Sequence, residues 1–166
     1  KILSSPINEL VGKHLLVWTT TPWTLLANVA TAVGEDIDYV LVRNKRSTKD
    51  GELLDELVLA KARLSALDGE YEVLKEFKGR DFLGTKYEQI FPYCKWNSDE
   101  YPDALSVLPG DFVSTVDGSG IVHIAPAFGE DDYEMSRKFR IPFVQPVTLD
   151  GHFTDDMGEF AGRAVK

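Results

Sequence analysis

At 166 residues, with 43% hydrophobic and 27% charged positions, the chain has the makeup of one soluble globular domain with a sizeable core. Its net charge of −9 argues against a free-standing nucleic-acid binder, which usually has a basic face, so any RNA ligand must be gripped mainly elsewhere. No apolar run reaches transmembrane length, no signal peptide is visible, and the single cysteine, Cys94, excludes an internal disulfide and reads as a structural thiol in a reducing compartment.

Strand-like segments dominate. Leu15 to Thr20 is the first, and it runs into Thr19-Thr20-Thr21-Pro22-Trp23-Thr24. Four threonines in six residues, broken by Pro and Trp, suit neither a helix nor a strand. Pro22 removes a backbone donor and pushes Thr21 toward an extended conformation. The run therefore leaves a strand end and offers hydroxyls and amides, which suit a polar, neutral ligand such as a sugar or an ester. A threonine-rich strand edge with a proline turn is the plainer alternative.

Ala30–Val33 and Tyr39–Val42 read as strands, residues 43–56 as an exposed polar loop, and Leu57–Ala60 as a short buried strand. Lys61 to Leu67 has helical spacing. Tyr71–Phe77 and Asp111–Val116 read as strands, and Asp117-Gly118-Ser119-Gly120 as a turn before the run Ile121–Ala125. Glu130 to Phe139 reads as a helix with Asp131 and Asp132 in its first turn, where acidic side chains suit the helix dipole. A last β-like pair brackets Asp150-Gly151. Short strands, frequent turns and few helices predict a mostly β, α+β fold of β-barrel-like type.

The second informative stretch is Gly118 through Tyr133. In its alternating run His123 faces away from Val122 and Ile124. Asp132 opens a helix after a Pro/Gly-rich bend, and a strand end joined to a helix start by such a bend can wall a pocket. An Asp there can hold an ammonium group, and a His can donate, accept or block space. A buried, hydrogen-bonded His123 and a helix-capping Asp132 account for the same residues without any ligand.

Taken together, the two stretches resemble the editing domain of class I aminoacyl-tRNA synthetases, the large insertion in the catalytic domain of the isoleucyl, valyl and leucyl enzymes. The resemblance is greatest to the isoleucyl type. It rests on Trp18 through Leu25, Ala27-Asn28 and Gly118 through Tyr133. Weaker matches are Gly84 through Glu88, Phe91-Pro92-Tyr93 and Asp150 through Thr154, so nearly the whole chain is covered. The valyl and leucyl relatives typically have Arg where this chain has Thr21 and an acidic residue where it has Trp23. Leu26 and Ser119 depart mildly from the pattern, which commonly has Pro and Thr there. The two signatures of the synthetic active site, His-x-Gly-His and Lys-Met-Ser-Lys-Ser, are absent.

The resemblance implies a single editing domain over residues 1–166, excised from a larger synthetase, as the abrupt ends without an initiator Met also suggest. It would be an aminoacyl-tRNA deacylase that hydrolyses the ester of valyl-tRNA(Ile), with valyl-adenylate as a second candidate substrate. Valine lacks one methylene of isoleucine, which a hydrophobic pocket resolves only weakly; isoleucyl-tRNA synthetase is itself the usual worked case of this limit.

Implied roles follow from functional groups. Asp132 binds the α-ammonium, which any aminoacyl ester carries. Thr20 and Thr21 contact the terminal adenosine and the ester. His123, with Thr24, limits side-chain space. Trp23 stacks on a base or packs in the core. Asn28 bonds the substrate or holds the threonine loop in shape, and Thr19 and Asp131 complete the substrate-binding set. No Ser stands in a nucleophile elbow and no His/Cys cluster has metal-ligand spacing, so hydrolysis by a positioned water without metal or cofactor is expected. The implied partners are the 3′ terminal adenosine of tRNA(Ile) and the rest of the synthetase, with no membrane, for a monomer in the cytoplasm. Two rivals remain: a valyl-type domain clearing threonyl-tRNA(Val), against which Thr21 and Trp23 argue, and a non-catalytic module binding tRNA ends or a protein.

Overall fold

A computed structural model describes residues 1–166. The chain parts into two compact units, each built from three separated segments. The first comprises Lys1–Thr19, Thr31–Glu88 and Ser106–Val122, and the second Thr20–Ala30, Gln89–Leu105 and His123–Lys166. The fold is mostly β with short helices, as expected. No helix is long and apolar enough to cross a membrane.

In the first unit, β1 (Ile2–Ser4) pairs antiparallel with β7 (Lys86–Tyr87). Strands β2 (His14–Leu15), β4 (Asp38–Thr48), β5 (Gly51–Ala60) and β6 (Glu70–Lys78) form a sheet of order β2-β5-β4-β6. Strands β3 (Ala30–Val33), β8 (Val107–Pro109) and β9 (Ile121–Ile124) form a third of order β8-β3-β9, of which Ala30, His123 and Ile124 belong to the second unit. Two single bridges splice these sheets. Trp18 pairs with Val122, and Lys86 pairs with Ser106. The three sheets thus become one succession of strands, which is the barrel-like trait of the expected fold, although no sheet closes on itself.

The core of this unit centres on Tyr39 and Phe82, both fully buried, with Phe77 edge-on to Phe82 at 5.1 Å. A buried phenol needs partners for its hydroxyl. The Tyr39 hydroxyl donates to Gly120 O at 2.6 Å and accepts from Gly34 N–H at 3.0 Å. Burial pushes its pKa up to about 12. At Gly118 the chain turns with φ +69°, and a Cβ there would lie 2.8 Å from the Trp18 ring, so the turn needs glycine for its backbone and for its space.

The expected loop over 43–56 is instead the outer half of a long hairpin. Strands β4 and β5 stay in register from Tyr39 opposite Ala60 to Thr48 opposite Gly51. The outer half reads as polar because it extends past the core into water. Its charges are sorted across strands: Arg43 meets Glu56, Arg46 meets Asp55, and Lys45 meets Glu52. Such pairs each add a fraction of a kcal/mol, about 0.2–1, without any apolar alternation. The expected strand over Asp111–Val116 does not form. The Ser114 hydroxyl accepts Val116 N–H, and the Arg63 guanidinium donates to Val116 O and Gly118 O, so side chains take the bonds that a ladder would use. The neighbouring β8 carries the pairing instead. Lys61–Leu67, read as helical, forms 3₁₀ turns over Lys61–Ala66.

In the second unit Leu26, Cys94, Phe153 and Met157 form the core, with Phe160 packed edge-on against Phe91 and Phe153. The Cys94 thiol donates to Leu26 O at 3.3 Å, and burial, then the charge of Asp156, raise its pKa. The cysteine is therefore a buried, protonated thiol, which agrees with its structural reading. Val147 bridges Phe153 around Asp150-Gly151, as the expected last β-like pair. Helix α1 (Glu130–Lys138) ends one residue short of the predicted span.

Tyr39→Phe keeps the ring and leaves the Gly120 carbonyl and the Gly34 amide without their buried partner. The expected loss is about 1–3 kcal/mol in urea unfolding, with an unchanged denaturant slope. A midpoint equal to that of the unaltered chain would contradict this account of the core.

Candidate functional site

Thr20 through Asn28 and His123 through Asp132 both belong to the second unit. After Thr20 the chain enters 3₁₀ turns over Pro22–Ala27. Thr21 is the cap, at φ −128° and ψ 74°, and Pro22 takes the first helical position, where a missing N–H does no harm. Thr24 closes this turn twice on the Thr21 carbonyl. Its N–H donates at 3.0 Å and its hydroxyl at 2.7 Å.

The His123 ring reaches this turn from the end of β9. His123 Nε2 lies 2.9 Å from the Thr24 hydroxyl oxygen, and His123 Nδ1 lies 3.4 Å from Asn28 Nδ2. Asn28 Nδ2 also donates to Ala30 O at 2.9 Å. Thr24, Asn28 and His123 are 3%, 3% and 6% exposed, so these bonds are shielded from water. Backbone pairing supports them, since Val29 N–H donates to Ile124 O at 3.0 Å. Trp23 meets Phe128 edge-on at 5.0 Å and packs, partly buried, against the second core.

Burial pushes the His123 pKa down to about 4, so the ring is neutral at ordinary pH. A hydroxyl has one proton. Since Thr24 gives its proton to Thr21 O, the bond to His123 must carry the proton of Nε2. His123 is thus the Nε2–H tautomer. Its ring tethers the end of β9 to the Thr24 turn and to Asn28.

Asp132 lies in the first turn of α1, behind Gly129, the cap residue. Its Oδ2 accepts Ala125 N–H at 3.0 Å, and its Oδ1 takes no hydrogen bond from the protein. Burial raises its pKa, the Ala125 amide opposes that rise, and neighbouring Asp131 adds to it. A Cβ on Gly129 would come within 3.1 Å of the carboxylate, so glycine leaves the carboxylate its room. The result is a half-buried anion with one free face, which can take a cation. Thr20, Thr21 and Asp131 are exposed, and Thr19, in the first unit, is partly buried.

The motifs contain two further contributors that sequence reasoning did not single out. Ala125 supplies the amide that orients Asp132, and Phe128 supports Trp23. A backbone donor has no side-chain signature. Phe128 was legible only as an apolar residue in a bend. No group of three or more His, Cys, Asp or Glu side chains is arranged to hold a metal ion.

His123 gives a directional pH prediction. Its folded pKa lies below its unfolded value of 6.5, so the unfolded chain takes the proton first. Stability from this group is complete above 6.5 and falls as pH drops toward 4, by about 1.4 kcal/mol per unit in mid-window. NMR of the ring nitrogens is expected to find His123 neutral, with its proton on Nε2, until pH approaches 4. A titration midpoint near 6.5 would contradict the tethered, buried ring.

No protein-family model matches the chain. Among curated proteins, it is 48% identical over 155 residues to isoleucine--tRNA ligase of Clostridium acetobutylicum, covering 93% of this chain and 14% of that protein. It is 45% identical over 171 residues to isoleucine--tRNA ligase of Mycobacterium leprae, covering 99% of this chain and 15% of that protein. The chain thus spans about one seventh of the length of these relatives. Among solved structures, it matches the cytosolic leucyl-tRNA synthetase editing domain of P. falciparum with a TM-score of 0.57 at 22% identity, over 75% of this chain and 46% of that one. The corresponding P. knowlesi editing domain matches with a TM-score of 0.55 at 16% identity, over 75% of this chain and 51% of that one. Sequence and fold agree: the chain belongs to the isoleucine--tRNA ligase family, as the portion that carries the synthetase editing-domain fold.

Proposed function

We propose that residues 1–166 form a single editing domain that deacylates mischarged tRNA, with valyl-tRNA(Ile) as its substrate. The observation that carries this reading is the Asp132 carboxylate, held by one oxygen on the Ala125 amide, with the other oxygen free of protein partners. An aminoacyl ester always presents an α-ammonium, and this anion is built to receive one. Thr20 and Thr21, exposed beside a turn that is locked from below, meet the terminal ribose and the ester. His123 and Thr24 are tied to each other and cannot yield, so they set how large a side chain is admitted. Trp23 and Asn28 hold this wall in place, and Asp131 and Thr19 complete the substrate-binding set.

In the reaction, water oxygen attacks the ester carbonyl. The bond to the ribose oxygen breaks, one water proton goes to that oxygen as the ribose hydroxyl leaves, the other passes to solvent, and the amino acid departs as a carboxylate. The chain offers positioning and hydrogen-bond donors, with a neighbouring ribose hydroxyl helping to place the water. No metal or other cofactor takes part. The acidic balance of the chain, −9 overall, gives little grip on phosphates. The rest of the synthetase holds the tRNA body, and this domain, monomeric and cytoplasmic with its parent, receives the 3′ terminal adenosine.

The test is deacylation of valyl-tRNA(Ile), isoleucyl-tRNA(Ile) and threonyl-tRNA(Val) by this chain. Only the first should be cleaved efficiently. Asp132→Ala should lower kcat/KM by about two orders of magnitude with the fold retained. Activity should also fall on the acid side, beginning above the pH at which an ordinary aspartate takes its proton, because burial raises Asp132. Unchanged cleavage by the variant would remove Asp132 from the site. Preferred cleavage of threonyl-tRNA(Val) would mark a valyl-type domain.

A further inference from the structure

We infer that Asn28 is a positioning residue whose amide donor sets the direction of a buried hydrogen-bond relay running from Asn28 through His123 and Thr24 to the Thr21 carbonyl, and thereby holds the threonine run in its working shape. This inference rests on the proposed editing role only for its functional consequence; the relay itself stands on geometry.

The relay can be read proton by proton. Ala30 O can only accept, so the Asn28 atom 2.9 Å from it is the amide nitrogen. One amide proton is spent there, and the other faces His123 Nδ1 at 3.4 Å. Nδ1 must therefore be bare, because an N–H at that place would oppose an N–H. A neutral ring with a bare Nδ1 carries its proton on Nε2, which donates to the Thr24 oxygen at 2.9 Å. The Thr24 hydroxyl proton is then turned away from the ring and onto Thr21 O at 2.7 Å. Each link has one allowed direction, and the first is imposed by an amide that cannot reverse without placing its carbonyl against Ala30 O.

The clamped carbonyl belongs to the Thr21–Pro22 peptide. Pro22 supplies no N–H, and Thr24 closes this turn start twice, by its N–H and its hydroxyl. Thr20 and Thr21 take their orientation from that peptide. With the direction reversed, the Thr24 proton would go to His123, and two oxygens 2.7 Å apart would repel. The threonine run would then shift, although no residue that faces substrate has been replaced.

Asn28→Asp tests the direction. An aspartic acid at this position spends its one proton on Ala30 O and can only accept at the ring, so the ring proton should move to Nδ1 and Nε2 should become bare. NMR of the histidine ring nitrogens reads this without tRNA. In the unaltered chain the Nε2–H form is expected, and in the folded Asn28→Asp variant the Nδ1–H form. Deacylation should then lose about 100-fold in kcat with KM near its original value, since Asp132 is untouched. If the buried carboxylate prevents folding, Thr24→Val decides. It removes the far partner of Nε2 and leaves Asn28 in place, so His123 should remain the Nε2–H tautomer. Persistence of Nε2–H in folded Asn28→Asp, or a change to Nδ1–H in Thr24→Val, would overturn the assignment to Asn28. Absence of deacylation by the unaltered chain would count against the editing reading and leave the tautomer result intact.

Discussion

The hydrogen bond from His123 to Thr24, 2.9 Å long and shielded from water, joins two segments that lie 99 residues apart in the chain. A buried bond of this kind adds about 0.5–1.5 kcal/mol net, but leaving either partner alone costs about 1–3 kcal/mol. That asymmetry gives the bond its authority. Neither side chain can rotate away without exposing an unpaired group to an apolar surrounding. The turn over Pro22–Ala27, the end of β9 and the bend before α1 consequently have one arrangement. In the proposed editing role, rigidity has a chemical use, because a wall that is to discriminate by one methylene must not yield to the larger group.

The two charges of the site are tuned in opposite senses by the same cause. Burial lowers His123 and keeps it neutral, and burial raises the pKa of Asp132. In the proposed role, a neutral histidine does not compete with a substrate ammonium for the carboxylate. An aspartate with one unused oxygen gains more from an arriving cation than one already satisfied by protein donors. The Ala125 amide holds the anion without neutralising it.

Much of the fold was legible because core segments write their burial into the sequence. Tyr39–Val42, Leu57–Ala60 and Ile121–Ile124 are apolar since they are buried, and α1 announces itself by the acidic first turn. The outer hairpin was illegible for the opposite reason. Its stability comes from backbone pairing and from Arg43, Arg46 and their acidic partners across the strands, and such a ribbon has the composition of a loop. The Asp111–Val116 run misled because alternation says nothing of whether a neighbouring ladder is available. In the site, residue types revealed Asp132, His123 and the threonines. Distances alone could reveal the direction of the bonds, because an Asn, a His and a Thr can each give or take a proton until the third dimension decides.

The account as a whole depends on Asp132 and the threonine run facing one ligand together. The most direct test is the solution structure of this chain with a non-hydrolysable valyl-adenosine mimic, beside its isoleucyl counterpart. The account predicts that the valyl compound binds with its ammonium on the free oxygen of Asp132 and its ribose against Thr20 and Thr21, while the isoleucyl compound is not held. A valyl compound bound elsewhere, or an isoleucyl compound seated equally well, would contradict it.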